Sequence, residues 1–297
     1  MQENARADGT MRGIGLLLAA TLFFSISDVL AKVLGERVPV IEIGWIRYVT
    51  FLVIILGVGA REGQVRCRVH HPWAQAIRGV MMVISALFFI FSLRFLPIAD
   101  AAAVGFVSPL LITALSVPML GEVVGLRRWS AIGVGFVGVL IVIRPGTGTF
   151  QPAAFLVLAS SLAWAVATIL TRKIAGREDA SATMLWAGMV GLVGLSLAVP
   201  FVFVVPSVMD VVLNVALGAV ATVGQYWMIL AYRNASASVL APFNYIQLIW
   251  SAGSGYLVFG TLPDGMTMLG ASVIAASGLY TIHRERVRAR ERVAAAG

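Results

Sequence analysis

Residues 97–122, PIADAAAVGFVSPLLITALSVPMLGE, set the reading of the whole chain. The run is apolar over more than the roughly 20 residues a helix needs to cross a bilayer. It carries Ser108-Pro109 in its middle and closes on Leu120-Gly121-Glu122. A related run, ASVLAPFNYIQLIWSAGSGYLVFG, lies at 237–260. Each follows an Arg by a few residues (Arg94, Arg233) and ends on a Gly (Gly121, Gly260). Each is followed by a Gly-containing apolar segment that stops at an Arg (Arg144, Arg284). A pattern stated twice points to a duplicated architecture.

Composition places that architecture in a membrane. The 297 residues are 59% hydrophobic and 12% charged, with a mean hydropathy of +0.92. A soluble domain carries about 25% charged residues, so this chain has too few to cover its own core with a wetted surface. The net charge of +8 sits in short pieces between apolar spans. That is the pattern of loop Lys and Arg that sets membrane orientation, not of a nucleic-acid face. The single Cys67 excludes an intramolecular disulfide. The apolar run at 14–31 has the length of a secretory leader. It is read as a first transmembrane helix, because its equivalent recurs in mid-chain.

Apolar windows predict ten spans, at roughly 13–33, 40–60, 75–94, 98–120, 128–143, 153–171, 183–204, 211–231, 238–260 and 266–282. Helix is the backbone expected, since no open strand edge survives in lipid. With the N-terminus inside, most of the 22 basic residues fall on the cytoplasmic side. Only Lys32, Arg37, Arg94 and Arg144 fall outside, and Arg47 falls within a span. That bias predicts cytoplasmic termini. The halves align at an offset near 140: Leu22 with Leu162, Phe24 with Trp164, Lys32 with Arg172. Five spans per half is odd, so the second half enters the membrane inverted, as in secondary transporters that bind solute at mid-membrane. The fold class read is all-α integral membrane. A tail at 1–12 precedes repeats at 13–144 and 145–283, and a basic tail follows at 284–297.

Polar residues inside spans are the candidates for function. Thr21, Ser25, Asp28 and Lys32 form one stripe at helical spacing, and Ser161, Thr168 and Arg172, with Trp164 alongside, repeat it. Such a stripe faces protein or water, either cementing helices or lining a cavity. Asp28, Lys32 and Arg47 lie toward the outer side. They are read as a fixed ion-pair group or a charged latch, with Asp28 paired to Lys32 or Arg47. The second half offers neutral groups instead: Gln225 and Tyr226 in the eighth span, Asn244, Tyr245 and Gln247 in the ninth. Ser25, Trp164, Thr168 and these five are the candidate cavity lining. Pro109 and Pro242 are expected helix kinks, and Pro97 and Pro263 helix starts. Gly133 to Gly138 fits GxGxxG only inside an apolar span, so it reads as close helix packing. Cys67, His70 and His71 in a basic loop are not read as a metal site. Asn234-Ala235-Ser236 fits a glycosylation acceptor but falls inside. No Zn-protease or Ser-hydrolase motif is present, so no enzyme is expected.

Several pieces resemble the drug/metabolite transporter superfamily in its ten-helix EamA branch: GWIRY (44–48), IRGVMMVISALFFIFSLRFLPIADAAAVGFVSPLL (77–111), LGE (120–122), GFVGVLIVIRPG (135–146) and 242–286. Thr261 departs from it, since many relatives carry an acid after that Gly. The resemblance implies a secondary transporter for a small organic metabolite, with a lean toward export. An aromatic amino acid or other planar, amphiphilic solute is favoured by the candidate lining. Importers of riboflavin or S-adenosylmethionine are the alternative, and a structural or regulatory membrane subunit is the non-transport alternative. The expected setting is the inner membrane. The expected partners are the solute and the bilayer, with no nucleic acid and no cofactor. A monomer is expected, a dimer being the alternative.

Overall fold

The computed structural model describes residues 2–61, 69–145, 151–174 and 178–296. Cys67 and most of its loop lie outside them. The helices are α1 (Gln2–Gly35), α2 (Val40–Arg61), α3 (Pro72–Ser92), α4 (Ile98–Gly105), α5 (Ser108–Leu120) and α6 (Leu126–Ile143). The second half holds α7 (Ala154–Ile174), α8 (Ala180–Ala198), α9 (Val208–Asn234), α10 (Ala237–Asn244), α11 (Ile246–Phe259) and α12 (Gly265–Ala296). Among the described residues, nine segments are long and apolar enough to cross a bilayer, with α4 and α5 taken together as Ile98–Leu120. The expected ninth span is not one helix but the α10–α11 pair, interrupted at Tyr245. The expected tails are also helical: α1 begins at Gln2 and α12 runs to Ala296.

The fourth segment of each half is broken, and prolines sit at both breaks. Pro109 cannot donate to the Gly105 carbonyl one turn earlier, so α4 stops at Gly105 and α5 starts at Ser108. The freed carbonyl accepts the Ser108 hydroxyl at 2.7 Å and the Ser161 hydroxyl at 3.5 Å. Pro109 therefore lies in the first turn of α5 and not at a kink within one helix. In the second half Pro242 lies inside α10, and the helix breaks three residues later. Both broken segments end on the same cap. Gly121 (φ 71°) and Gly260 (φ 68°) are left-handed, and the amides of Glu122 and Thr261 close onto the carbonyls of Ser116 and Gly255, each at 3.3 Å. Thr261 thus keeps the backbone geometry of Glu122 without its charge.

The packing of one half is repeated in the other. α1 packs on α9 as α7 packs on α3, α2 on α9 as α8 on α3, and α5 on α7 as α11 on α1. α2 lies against its own equivalent α8, and α6 against α12. Both pairs run antiparallel: Gly44 faces Leu195 while Leu52 faces Gly188, and Gly135 faces Ser277 while Gly138 faces Gly270. Small residues permit these approaches. A Cβ on Gly138 would lie 2.9 Å from the Gly270 carbonyl oxygen, and one on Gly270 would lie 2.6 Å from that of Gly138.

The buried core is uneven along the membrane normal. The face carrying the start of α1 and the end of α12 is called the terminal face, and its opposite the far face. The main cluster joins the far ends of the helices: Leu34 and Val38 after α1, Ile43 of α2, Leu93 and Leu96 after α3, Ile98 of α4, Ile143 of α6 and Val157 of α7. On the terminal side a small cluster of Leu17, Ala231, Ala235 and Leu240 ties α1 to α9 and α10.

The α6–α12 contact yields a test. Gly270→Leu should lower the detergent-solubilised melting temperature by an amount equivalent to about 1–3 kcal/mol, the usual cost of overpacking. Gly133→Ala, on the same helix pair but with nothing within 4 Å of its added Cβ, should leave it unchanged or raise it. Equal effects would contradict the close approach.

Candidate substrate cavity

Helix faces distinguish lipid from interior. On α7, Val157, Ser160 and Ser161 are buried. Ser160 donates to the Ser85 carbonyl of α3 at 2.7 Å, its hydroxyl 3.2 Å from that of Ser85. Trp164 sits one turn further along the face these three define, yet it is 40% exposed. Trp164 is therefore the open position on an otherwise buried face. Thr168, another turn toward the terminal face, is half-buried and returns its hydroxyl to the Trp164 carbonyl at 2.8 Å. On α9, Gly218, Ala221 and Thr222 are buried, and Gln225 follows on the same face, half-buried. On α11, Gln247 is half-buried one turn before Ser251, which is fully buried. Neither amide side chain makes a hydrogen bond among the described residues.

Other expected residues are placed differently. Tyr226 is 47% exposed and shares the outer face of α9 with Val212 and Val215, so helical rotation turns it away from Gln225 and from the interior. Ser25 is fully buried and pairs with Ser254 of α11 at 2.9 Å, which makes it a helix clasp. Asn244 donates to the Tyr232 hydroxyl at 3.2 Å, near the terminal end of α9. Tyr245 lies at the break of α10–α11 and stacks on Phe106, at the break of α4–α5, with ring centroids 4.9 Å apart and planes 27° apart. The two breaks therefore meet ring to ring. Phe106 was missed in the sequence, although it lies 139 positions before Tyr245 and so matches it across the repeat.

Of the three residues of the expected latch, Lys32 takes other partners. Lys32 turns from Asp28 and donates to the carbonyls of Leu93 (2.8 Å) and Leu96 (2.5 Å), beyond α3, with the Phe259 ring 5.5 Å away. A cation at a helix C-terminus satisfies carbonyls that have no partner in the helix. Asp28 is half-buried on the inward face of α1, between the buried Thr21 and Ser25 on one side and Ala31 on the other. The Arg47 guanidinium acts on it electrostatically, with no ion-pair contact within 4.0 Å.

Polar contacts join the helix ends at the far face, alongside the apolar core. Arg94 donates to the Val38 carbonyl at 2.8 Å, and Arg37 reaches Asp210 at 4.0 Å. Arg144, a left-handed C-cap of α6, binds both carboxylate oxygens of Asp264, whose Oδ1 also accepts the Thr267 amide at 2.8 Å and so caps α12. A cavity of about 140 Å³ lies under this clasp, lined by Asp100, Val104, Gln151 and Asp264 among others. The hydrogen bond from Arg144, and the cap, hold the Asp264 carboxyl down at about 2.

Comparisons with known proteins bear on the family and the fold. The EamA-like transporter family matches twice, over 11–144 and 151–282. The S-adenosylmethionine uptake transporter of Rickettsia prowazekii (strain Madrid E) is 26% identical over 277 residues, 93% of this chain and 94% of its own. The riboflavin transporter of Rhizobium johnstonii is 31% identical over 233 residues, 78% of this chain and 77% of its own. The pseudopaline exporter CntI of Pseudomonas aeruginosa (strain UCBPP-PA14) is 26% identical over 267 residues, 88% and 93% respectively. A solved crystal structure with 20% identity superposes with a TM-score of 0.63 over 95% of this chain and 99% of that one, which shows the shared fold.

The Arg144–Asp264 clasp yields a pH test. A carboxyl held below its ordinary 3.8 stabilises the fold above that pH, and the contribution is lost as pH falls toward about 2. Because the pair is partly exposed, the effect should be about 0.2–1 kcal/mol. Thermal melts of purified protein should therefore converge for wild type and Asp264→Asn as pH drops from 5 to 2, with wild type the more stable at pH 5. Parallel curves would contradict the clasp. With two matched domains covering nearly its whole length, the chain belongs to the EamA-like transporter family.

Proposed function

We propose that the protein is a secondary transporter of a small organic metabolite, built from ten spans as two inverted five-helix repeats and working by alternating access. The substrate favoured is a planar or amphiphilic solute such as an aromatic amino acid, carried outward across a bacterial inner membrane. The observation that carries the reading is the set Trp164, Gln225 and Gln247, partly open on faces that are otherwise buried. An aromatic ring offers a stacking face worth roughly 0.5–1.5 kcal/mol beyond burial. Amide side chains offer donors and acceptors without fixed charge. Antiparallel packing of equivalent helices supports inverted repeats, and helices broken at mid-membrane are the usual place for a transported solute.

The sealed far face and the looser terminal side support a conformation open at the terminal face. The loop charge bias makes that face cytoplasmic. Solute captured there would leave when the far-face clasps open and the terminal side closes. Uptake is the second reading. Similarity to the S-adenosylmethionine uptake transporter over 93% of this chain favours it, and both that solute and riboflavin carry planar rings.

Flux into proteoliposomes tests the site. Trp164→Ala and Gln247→Ala should abolish transport of the planar solute while the protein still inserts and elutes as a single species in detergent. Wild-type flux in both variants would remove these residues from the substrate path.

A further inference from the structure

Most charged residues near the far face have partners among the described residues, whereas the two inward ones, Asp28 and Arg47, do not. Lys32 and Arg94 donate to backbone carbonyls, Arg37 reaches Asp210, and Arg144 binds Asp264. Asp28 and Arg47 make no hydrogen bond and no ion-pair contact among the described residues, although the Arg47 guanidinium acts electrostatically on Asp28. Both are half-buried, and none of their charged atoms is among the fully buried, unpaired ones. Arg47 lies on α2 between Thr50, which faces Gly218 of α9, and Gly44, which faces Leu87 of α3. That direction is the bundle interior, where Asp28 also points.

An acid and a base at this depth are costly unless they meet each other or something else. A structural pair would be closed, because a gap lets water screen the attraction while leaving much of the desolvation cost. An open pair suits a ligand that carries both charges. We propose that Asp28 and Arg47 form a head-group subsite for an α-amino acid, Arg47 taking the carboxylate and Asp28 the ammonium, with the ring of the ligand directed to Trp164 and Gln247. The guanidinium fork matches a carboxylate in two parallel hydrogen bonds. A zwitterion adds no net charge, so the cavity crosses from one side to the other with the same total charge loaded as with the bare pair. The subsite rests on the transporter reading above and narrows its substrate to amino acids that carry a planar ring.

Binding to the purified full chain tests it by titration calorimetry with analogues that lack one charge or the head. L-tryptophan is compared with tryptamine, which has no carboxylate, and with indole-3-propionate, which has no ammonium. S-adenosyl-L-homocysteine is compared with 5′-methylthioadenosine, which keeps the purine without the amino-acid head. At least one of the two amino acids should bind, and its truncated analogues should bind roughly 10- to 150-fold more weakly, as expected for losing a charge-assisted hydrogen bond. Arg47→Gln should weaken the amino acid by a similar factor but change tryptamine less than about threefold, and Asp28→Asn should do the mirror for indole-3-propionate. The analogue series needs no variant, so it stands even if one misfolds. Equal affinity for an amino acid and its truncated analogues, or no binding of either amino acid, would overturn the subsite. Equal weakening of every analogue by either variant would make the pair structural and overturn it as well. Transport of a neutral flavin without amino-acid binding would remove the subsite and leave the transporter reading intact. Unaltered flux in the Trp164 and Gln247 variants would remove that reading by itself.

Discussion

Backbone amides and carbonyls inside a bilayer must be satisfied within the protein, and the two broken segments are where that constraint is met at greatest cost. Pro109 removes the donor that Gly105 would have used, and two hydroxyls, from Ser108 and Ser161, take its place. Ser161 comes from α7, in the other half. The repair of one break therefore binds the two repeats together beside the Ser85–Ser160 clasp. Ring stacking of Phe106 on Tyr245 puts the second break against the first. A single continuous helix in place of either pair would satisfy its own backbone and need none of these contacts. It would also offer no irregular surface at mid-membrane for a solute.

From that crossing, packing diverges toward the two faces. On the far side, apolar core and charged clasps work together. Lys32 ties α1 to the carbonyls beyond α3, Arg94 ties α3 to the turn after α1, and Arg144 ties α6 to α12. Each of these is a charge-assisted contact that opens by losing one partner and not by dismantling a hydrophobic layer. On the terminal side the contacts among the described residues are fewer and more local. α1, α9 and α10 share the small cluster around Leu17, while Arg78 and Gln75 hold α3 to α7 and α8 through Thr171 and Thr183. α2 bridges the two groups, Leu52 meeting Gly188 of α8 and Thr50 meeting Gly218 of α9.

The sequence was most informative where periodicity and duplication act. The apolar runs, the repeated Gly stops at Gly121 and Gly260, and the offset near 140 carry the helical fold and its two domains. Close helix packing was legible in Gly135 and Gly138 of α6, though not at Gly133, because small residues in an apolar helix have few other uses. Partner choice was not legible. Lys32 and Asp28 lie one turn apart on α1, which suggests a pair, yet the open ends of α3 compete for the ammonium and win it, and only tertiary structure brings them near. Tyr226 adjoins Gln225 in the chain, but the rotation of a helix between neighbours carries it to the face of Val212 and Val215. That separation was available from the helical period alone. So was Phe106, whose match to Tyr245 across the repeat marks the crossing.

The proposed alternating access requires a water-filled space that reaches mid-membrane from the terminal face and is closed from the far face. Cysteine accessibility measures it directly. Gln225→Cys, introduced with Cys67→Ser so that no other thiol is present, is exposed in sealed vesicles of either orientation to a membrane-impermeant maleimide. In the substrate-free protein, label added on the terminal side should modify the Gln225 position, and label added on the far side should modify it far more slowly. No reaction from the terminal side, or equal reaction from both, would contradict a cavity open to one face.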